Sequence, residues 1–215
     1  MTRSLLLTIV LSALSILMYA QGYSDEPKVF TGGLILGANI SKIDDVDDFS
    51  HYHKVGLNVG GIVTVHFTQA FGVSMELLYS QKGDHEVDQS TSYALGSYFS
   101  EYFARLNYIE VPIMLHYTQN KMDYEIGASY SRLISSYESI SIDQPVYIDP
   151  LYNYFNKEDY NFIIGGSYNF YKHYYFNVRW QFSVVPIRDG NRLPTTYWFD
   201  GQQNNAFNFR LIYMF

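Results

Sequence analysis

The sequence predicts an all-β protein: an eight-stranded antiparallel up-and-down transmembrane β-barrel. Three observations predict it. Apolar residues recur at every second position in eight separate stretches, the period of a strand with one greasy and one polar face. The connections between those stretches alternate strictly between short and long. Aromatic residues gather on the apolar parity at the short-turn end of the stretches.

The clearest stretch is the hairpin from Val55 to Gly83. Leu57, Val59, Val63, Val65 and Phe67 alternate with Asn58, Thr64 and His66. After a break at Thr68-Gln69-Ala70, Phe71, Val73, Met75, Leu77 and Tyr79 alternate with Gly72, Ser74, Glu76, Leu78, Ser80 and Lys82. Each arm has about the ten residues that a tilted strand needs to cross a bilayer.

The other strands follow in order. Met1 to Ala20 has a secretory signal peptide's parts: Arg3, an apolar run from Leu5 to Leu17, and Met18-Tyr19-Ala20 before Gln21. An N-terminal anchor is the rival reading, for which the run is short. A short periplasmic segment over 21–29 leads into the barrel at 30–215. Strand one is expected over Phe30–Ser41, with Ile35 breaking the alternation, and an acidic loop over Lys42–His53. A long polar loop is expected over Asp84–Arg105. Strand four runs Leu106–Gln119, where Pro112 lacks a ladder donor and predicts a bulge or local break. Asn120-Lys121 turns into strand five, Met122–Ile134, and a second long loop covers Ser135–Asp159. Strand six, Tyr160–Phe170, turns at Tyr171-Lys172-His173 into strand seven, Tyr174–Val185. A loop over Pro186–Asn204 precedes strand eight, Asn205–Phe215.

Periodicity leaves open which face is outside, since a soluble lipocalin-like barrel has the same period with the faces exchanged. Lipid is favoured by the ring Phe30, Phe67, Phe71, Tyr117, Tyr124, Phe170, Tyr174 and Phe215, which suits the periplasmic membrane interface. Glycines and charges of both signs on the polar parity favour it too, as does the aromatic residue closing strand eight. Glu76, Glu110, Asp123, Glu125, Arg179, Arg210 and His66 then point into the lumen. An eight-stranded barrel is just wide enough to be filled by side chains, so the expectation is a Glu/Arg network plugging it. The alternative is solvated charges in a narrow pore.

The hairpin and the stretch LNYIEVPIMLHY resemble the hallmark stretches of the PorT-like outer-membrane β-barrel family of Bacteroidetes-type bacteria. The matching positions are Glu76, Leu77, Tyr79, Ser80, Lys82 and Gly83, then Leu106, Tyr108, Ile109, Glu110, Val111 and Pro112. The resemblance implies an eight-stranded outer-membrane barrel and an irregularity built in at Pro112. It implies little about activity, one member being tied to protein secretion.

Composition narrows function further. With 18% aromatic residues, no cysteine and a formal net charge of −7, the chain has no thiolate metal site, no disulfide framework and no basic footprint for nucleic acid. His51 and His53 beside Asp44 to Asp48 have the chemistry of cation ligands, but match no established spacing, and a solvated acidic loop is the plainer reading. Asp84, His85, Glu86 and Asp88 resemble rim protease machinery, without a second constellation. No nucleophile elbow or phosphate loop is present. The expectation is therefore a non-enzymatic structural or interaction component of the envelope, with no catalytic residue, metal or cofactor. Its partners are outer-membrane lipid and other envelope proteins, reached through tyrosine-rich loops such as Ser92–Phe103 and Tyr147–Phe155. A narrow channel for small solutes and an enzyme at the extracellular rim are the alternatives.

Overall fold

The computed structural model describes residues 29–44, 52–92, 96–142, 155–188 and 201–215. The signal-peptide reading of 1–20 lies outside them, as do most of the acidic loop (45–51) and most of the second tyrosine-rich loop (147–154). Eight strands form a closed barrel in sequence order: β1 (Phe30–Asp44), β2 (Lys54–His66), β3 (Phe71–Ser92), β4 (Gly96–Gln119), β5 (Met122–Ile142), β6 (Glu158–Tyr171), β7 (Tyr174–Ser183) and β8 (Gln203–Met214). Every neighbouring pair is antiparallel, and β1 closes on β8 from Gly33↔Met214 to Asp44↔Gln203. Closure leaves no unpaired sheet edge, the condition a strand protein must meet in hydrocarbon.

The alternation assigns the two faces. In β2, Val55, Leu57 and Val63 are exposed while Asn58, Ile62 and Thr64 are buried. Leu34, Leu36, Met75, Leu77, Ile113, Leu115, Ile126, Ile164, Phe176 and Leu211 continue the outward apolar band around the wall. A soluble surface does not carry a contiguous patch of that size, so the band is the lipid face. The polar parity, with Asn39, Ser74, Glu76, Ser80, Glu110, Ser131 and Asn177, is buried inside. Apolar residues that break the alternation also have a place: Ile35, Ile62, Leu78 and Ile212 meet inside the lumen as one cluster, with Tyr175 and Met214 packed against it.

The short connections are 67–70, 120–121 and 172–173. Two residues there take left-handed backbone, Asn120 (φ 57°) and Lys172 (φ 41°). Asn120 is a residue type that tolerates it.

The polar stretches differ from expectation. Residues 84–92 and 96–105 are strand rather than loop: β3 runs 22 residues and β4 runs 24, paired from Phe71↔Tyr117 to Ser92↔Gly96. β5 likewise reaches Ile142, and β1 and β8 extend to Asp44 and from Gln203. About ten residues suffice to span the membrane, so β3, β4 and β5 rise well beyond it at the long-connection end. Above the hydrocarbon no lipid face demands apolar residues, and the period-two signal fades although the pairing continues.

Pro112 causes no register shift. The β3–β4 ladder is interrupted between Met75↔Ile113 and Leu78↔Glu110 and resumes in the same register. The shift in β4 lies instead at Asn107/Tyr108 on the β5 side, where Ile134 is the extra residue. Gly83 is held at φ 142°, and a Cβ there would meet the Ala104 carbonyl across the ladder. Gly83→Val is expected to cost about 1–3 kcal/mol of stability. Urea unfolding of the detergent-folded barrel checks this.

Candidate functional site: the barrel interior

The lumen is filled in layers that can be followed along the inward positions of β4 and β5. The central layer joins four strands. Arg179 (β7) makes two two-pronged contacts. Its Nε and Nη2 donate to Glu125 (β5) Oε1 and Oε2 at 2.6 and 2.7 Å, while Nη1 and Nη2 donate to Glu76 (β3) Oε2 and Oε1 at 3.0 and 2.7 Å. Arg210 (β8) donates from Nη1 to Glu76 Oε2 at 2.8 Å and from Nε to Asn177 Oδ1 at 2.7 Å. Asn177 in turn donates to Glu125 and to Ser167 Oγ. Forked guanidinium–carboxylate contacts are the strong, geometrically specific kind of charged hydrogen bond. All four charged residues are at most 3% exposed, and the two carboxylates balance the two guanidiniums. Each arginine stands in register beside a glycine, Gly165↔Arg179 and Gly37↔Arg210, whose missing side chain leaves room for the arginine stem.

Towards the long-connection end, a second layer surrounds Lys82. Its Nζ lies 3.2 Å from Asn161 Oδ1, 3.5 Å from Glu110 Oε2 and 3.7 Å from Asp159 Oδ2, and 5.4 Å from the Tyr108 ring centre. Gln181 Nε2 donates to Glu110 Oε1 at 2.6 Å, and Asn204 Nδ2 donates to Asp159 Oδ2 at 3.1 Å. Above it, Ile43, Ala104, Leu106, Tyr108, Phe155 and Ile187 form a buried apolar cap. Arg188 lies over Phe155 and pairs with Glu138 through two contacts of 3.0 and 2.7 Å.

Towards the short-turn end, Asp123 Oδ2 lies 2.7 Å from His116 Nδ1, and Thr118 Oγ1 donates to Oδ1 at 2.8 Å. His66 lies at the same end, its Nε2 2.9 Å from Thr31 Oγ1.

Of the seven interior residues named from sequence, the structure thus brings together Glu76, Glu125, Arg179 and Arg210, while His66 stands apart against Thr31. Glu110 belongs to the Lys82 layer and Asp123 to the His116 group, neither touching an arginine. Sequence reading missed Lys82, His116, Asn177, Gln181 and Asp159. Lys82 and His116 carry the inward parity of their strands, which is the signal that could have found them; Asp159 stood in an expected loop. The eight aromatic residues Phe30, Phe67, Phe71, Tyr117, Tyr124, Phe170, Tyr174 and Phe215 are all exposed at the short-turn end. Several touch, as in Phe71–Tyr117 and Tyr174–Tyr213, each with ring centres 5.1 Å apart.

At the other end Asp84 is occupied structurally. Its Oδ2 accepts from the Ile43 amide at 3.1 Å and its Oδ1 from the His85 amide at 2.7 Å, while His85 stacks edge-on against Phe103.

A closed barrel with an apolar outer wall and a polar, packed interior is a transmembrane β-barrel of outer-membrane type. The family described as outer membrane protein beta-barrel domain matches residues 19–188, and the chain belongs to it. The protein is accordingly a small outer-membrane β-barrel protein located in the outer membrane. None of the curated proteins matches the chain. Among solved structures, it is similar to Ail, the attachment invasion locus protein of Yersinia pestis, at 10% identity and TM-score 0.45 over 87% of this chain and 100% of that one. It is similar to Neisserial surface protein A at 11% identity and TM-score 0.44, over 87% and 98% of the two chains. OprG from Pseudomonas aeruginosa has 12% identity and TM-score 0.35, over 86% and 94%.

Proposed function

We propose that the protein is a plugged, non-enzymatic barrel serving as a structural and interaction component of the cell envelope, PorT-like in kind and associated with secretion. The observation that carries this reading is the brace from Glu76 through Arg179 to Glu125, which ties β3, β5 and β7 together across the lumen. With the Lys82 layer and the apolar cap above it, the described interior is filled from the central layer to the long-connection end. What remains for function is the surface: lipid around the wall, and envelope proteins at the tyrosine-rich segments. The structural use of Asp84 fits a rim without turnover.

Planar-bilayer recording separates this reading from that of a solute channel. The purified barrel is expected to give no steady conductance, and stable open-channel steps would overturn the plug. Crosslinking and pull-down from solubilised outer membranes is expected to retain a discrete envelope protein; repeated recovery of the barrel alone would remove the interaction role.

A further inference from the structure

We propose that His116, Asp123 and Glu125 form a site for one divalent transition-metal cation at the short-turn mouth of the barrel. The site shares Glu125 with the central brace, but its test does not depend on whether the lumen conducts or a partner binds. The tight β4–β5 hairpin builds it: His116 pairs with Glu125 and Thr118 with Asp123, all on inward positions. One donor atom from each of the three, the imidazole Nδ1 and a carboxylate oxygen from each acid, lies within 4.8 Å of the other two. Nδ1 is 2.7 Å from Asp123 Oδ2 and 3.9 Å from Glu125 Oε2. Ligands around one tetrahedral ion with bonds near 2.1 Å stand about 3.4 Å apart, so the observed spacings straddle what is needed.

The surroundings of the three side chains are those of a site rather than of a chance cluster. Each is held through atoms other than those offered to an ion, or through a second lone pair. Ser74 Oγ lies 2.7 Å from His116 Nε2, which leaves Nδ1 to face the carboxylates. Thr118 holds Asp123 by Oδ1, leaving Oδ2 free of that contact. Arg179 fixes the Glu125 carboxylate; Oε1 accepts from Asn177 as well, while Oε2 accepts from Arg179 alone and retains a further lone pair. Outer-shell bonds of this kind orient ligands and tune their basicity. A cavity of about 350 Å³ lies alongside, lined by the three residues and by His66, Thr118 and Asn169, giving an ion room for its water. One imidazole and two carboxylates, with no cysteine in the chain, suit Zn²⁺, Mn²⁺, Fe²⁺ or Co²⁺. Binding would take the place of the His116 Nδ1–Asp123 Oδ2 contact, and through Glu125 it would bear directly on the central brace.

The test is titration of the detergent-folded barrel with Zn²⁺ against a chromophoric chelator at neutral pH, with Co²⁺ absorption reporting the ligand field. Wild type is expected to take up one equivalent. His116→Ala and Asp123→Asn should each weaken it on the order of ten-fold or more, as losing a ligand costs at least what losing an outer-shell partner does. His85→Ala, at the far end of the barrel, should leave it unchanged. Heat-dependent gel mobility establishes that each variant is folded, and the near-isosteric Asp123→Asn carries the test if His116→Ala does not fold. No uptake by wild type, or uptake indifferent to both substitutions, would overturn the site and leave His116–Asp123 a plain structural contact.

Discussion

Arg179→Ala is expected to destabilise the folded barrel by about 3–5 kcal/mol, the range for breaking a buried charge pair by removing one partner. Among the described residues the guanidinium is the only group that holds two carboxylates in the central layer, and it is 1% exposed. Its loss leaves two buried carboxylates to one cation. Glu76 keeps Arg210, but Glu125 keeps only the amide of Asn177 and a His116 nitrogen 3.9 Å away. Glu125 is therefore the orphan. Glu125→Gln placed in the Arg179→Ala background restores a one-to-one balance, and should recover at least about 1 kcal/mol of the loss, the scale of desolvating an unpaired polar group. Urea unfolding in detergent or lipid, followed by tryptophan fluorescence, gives both values. A double variant no more stable than the single one would mean that the cost is lost packing, not stranded charge, and the brace would lose its electrostatic account.

The same layer marks how far the sequence could be read. The faces of the strands were legible because hydrocarbon imposes a strict demand: inside the membrane, Leu57, Val63, Met75 and Ile113 must look outward, and their neighbours inward. The fold class and the short turns follow from that demand. Its limits follow too. Beyond the bilayer the demand lapses, so Asp84 to Arg105 reads as a polar loop although 84–92 pair with 96–104. Within the lumen, period two says that Glu76, Glu110, Asp123 and Glu125 point inward but not at which height. Height is set by strand stagger, which no local pattern encodes. Glu110 and Asp123 were grouped with the arginines for want of it; the ladder puts them one layer above and one below. Ile35 looked like a flaw in β1, yet it completes a cluster with Ile62, Leu78 and Ile212 that comes together only on closure. His116 and Asp123 are seven positions apart across a hairpin, and no regular metal-binding spacing flags them until His116 is seen to pair with Glu125.

Lys82→Ala is expected to have a comparable effect, about 3–5 kcal/mol, for a different balance of reasons. Lys82 is fully buried and faces two carboxylates, Glu110 and Asp159, with a carbonyl oxygen from Asn161 nearer still. Unlike the central layer, this one has no second cation among the partners described. Removing the ammonium leaves two buried acids with, among the described residues, the amides of Gln181 and Asn204 as their hydrogen-bond donors. Truncation also opens a void beneath Tyr108, so the alanine variant confounds charge with volume. Lys82→Met separates them, because an unbranched chain of similar length refills most of the space without the charge. If stranded carboxylates dominate, Lys82→Met should cost nearly as much as Lys82→Ala, and adding Asp159→Asn should restore a large part of the loss. If instead Lys82→Met is as stable as wild type, the lysine acts as a space filler. The layer would then owe its stability to the apolar cap above it, and that outcome would remove Lys82 from the electrostatic plug.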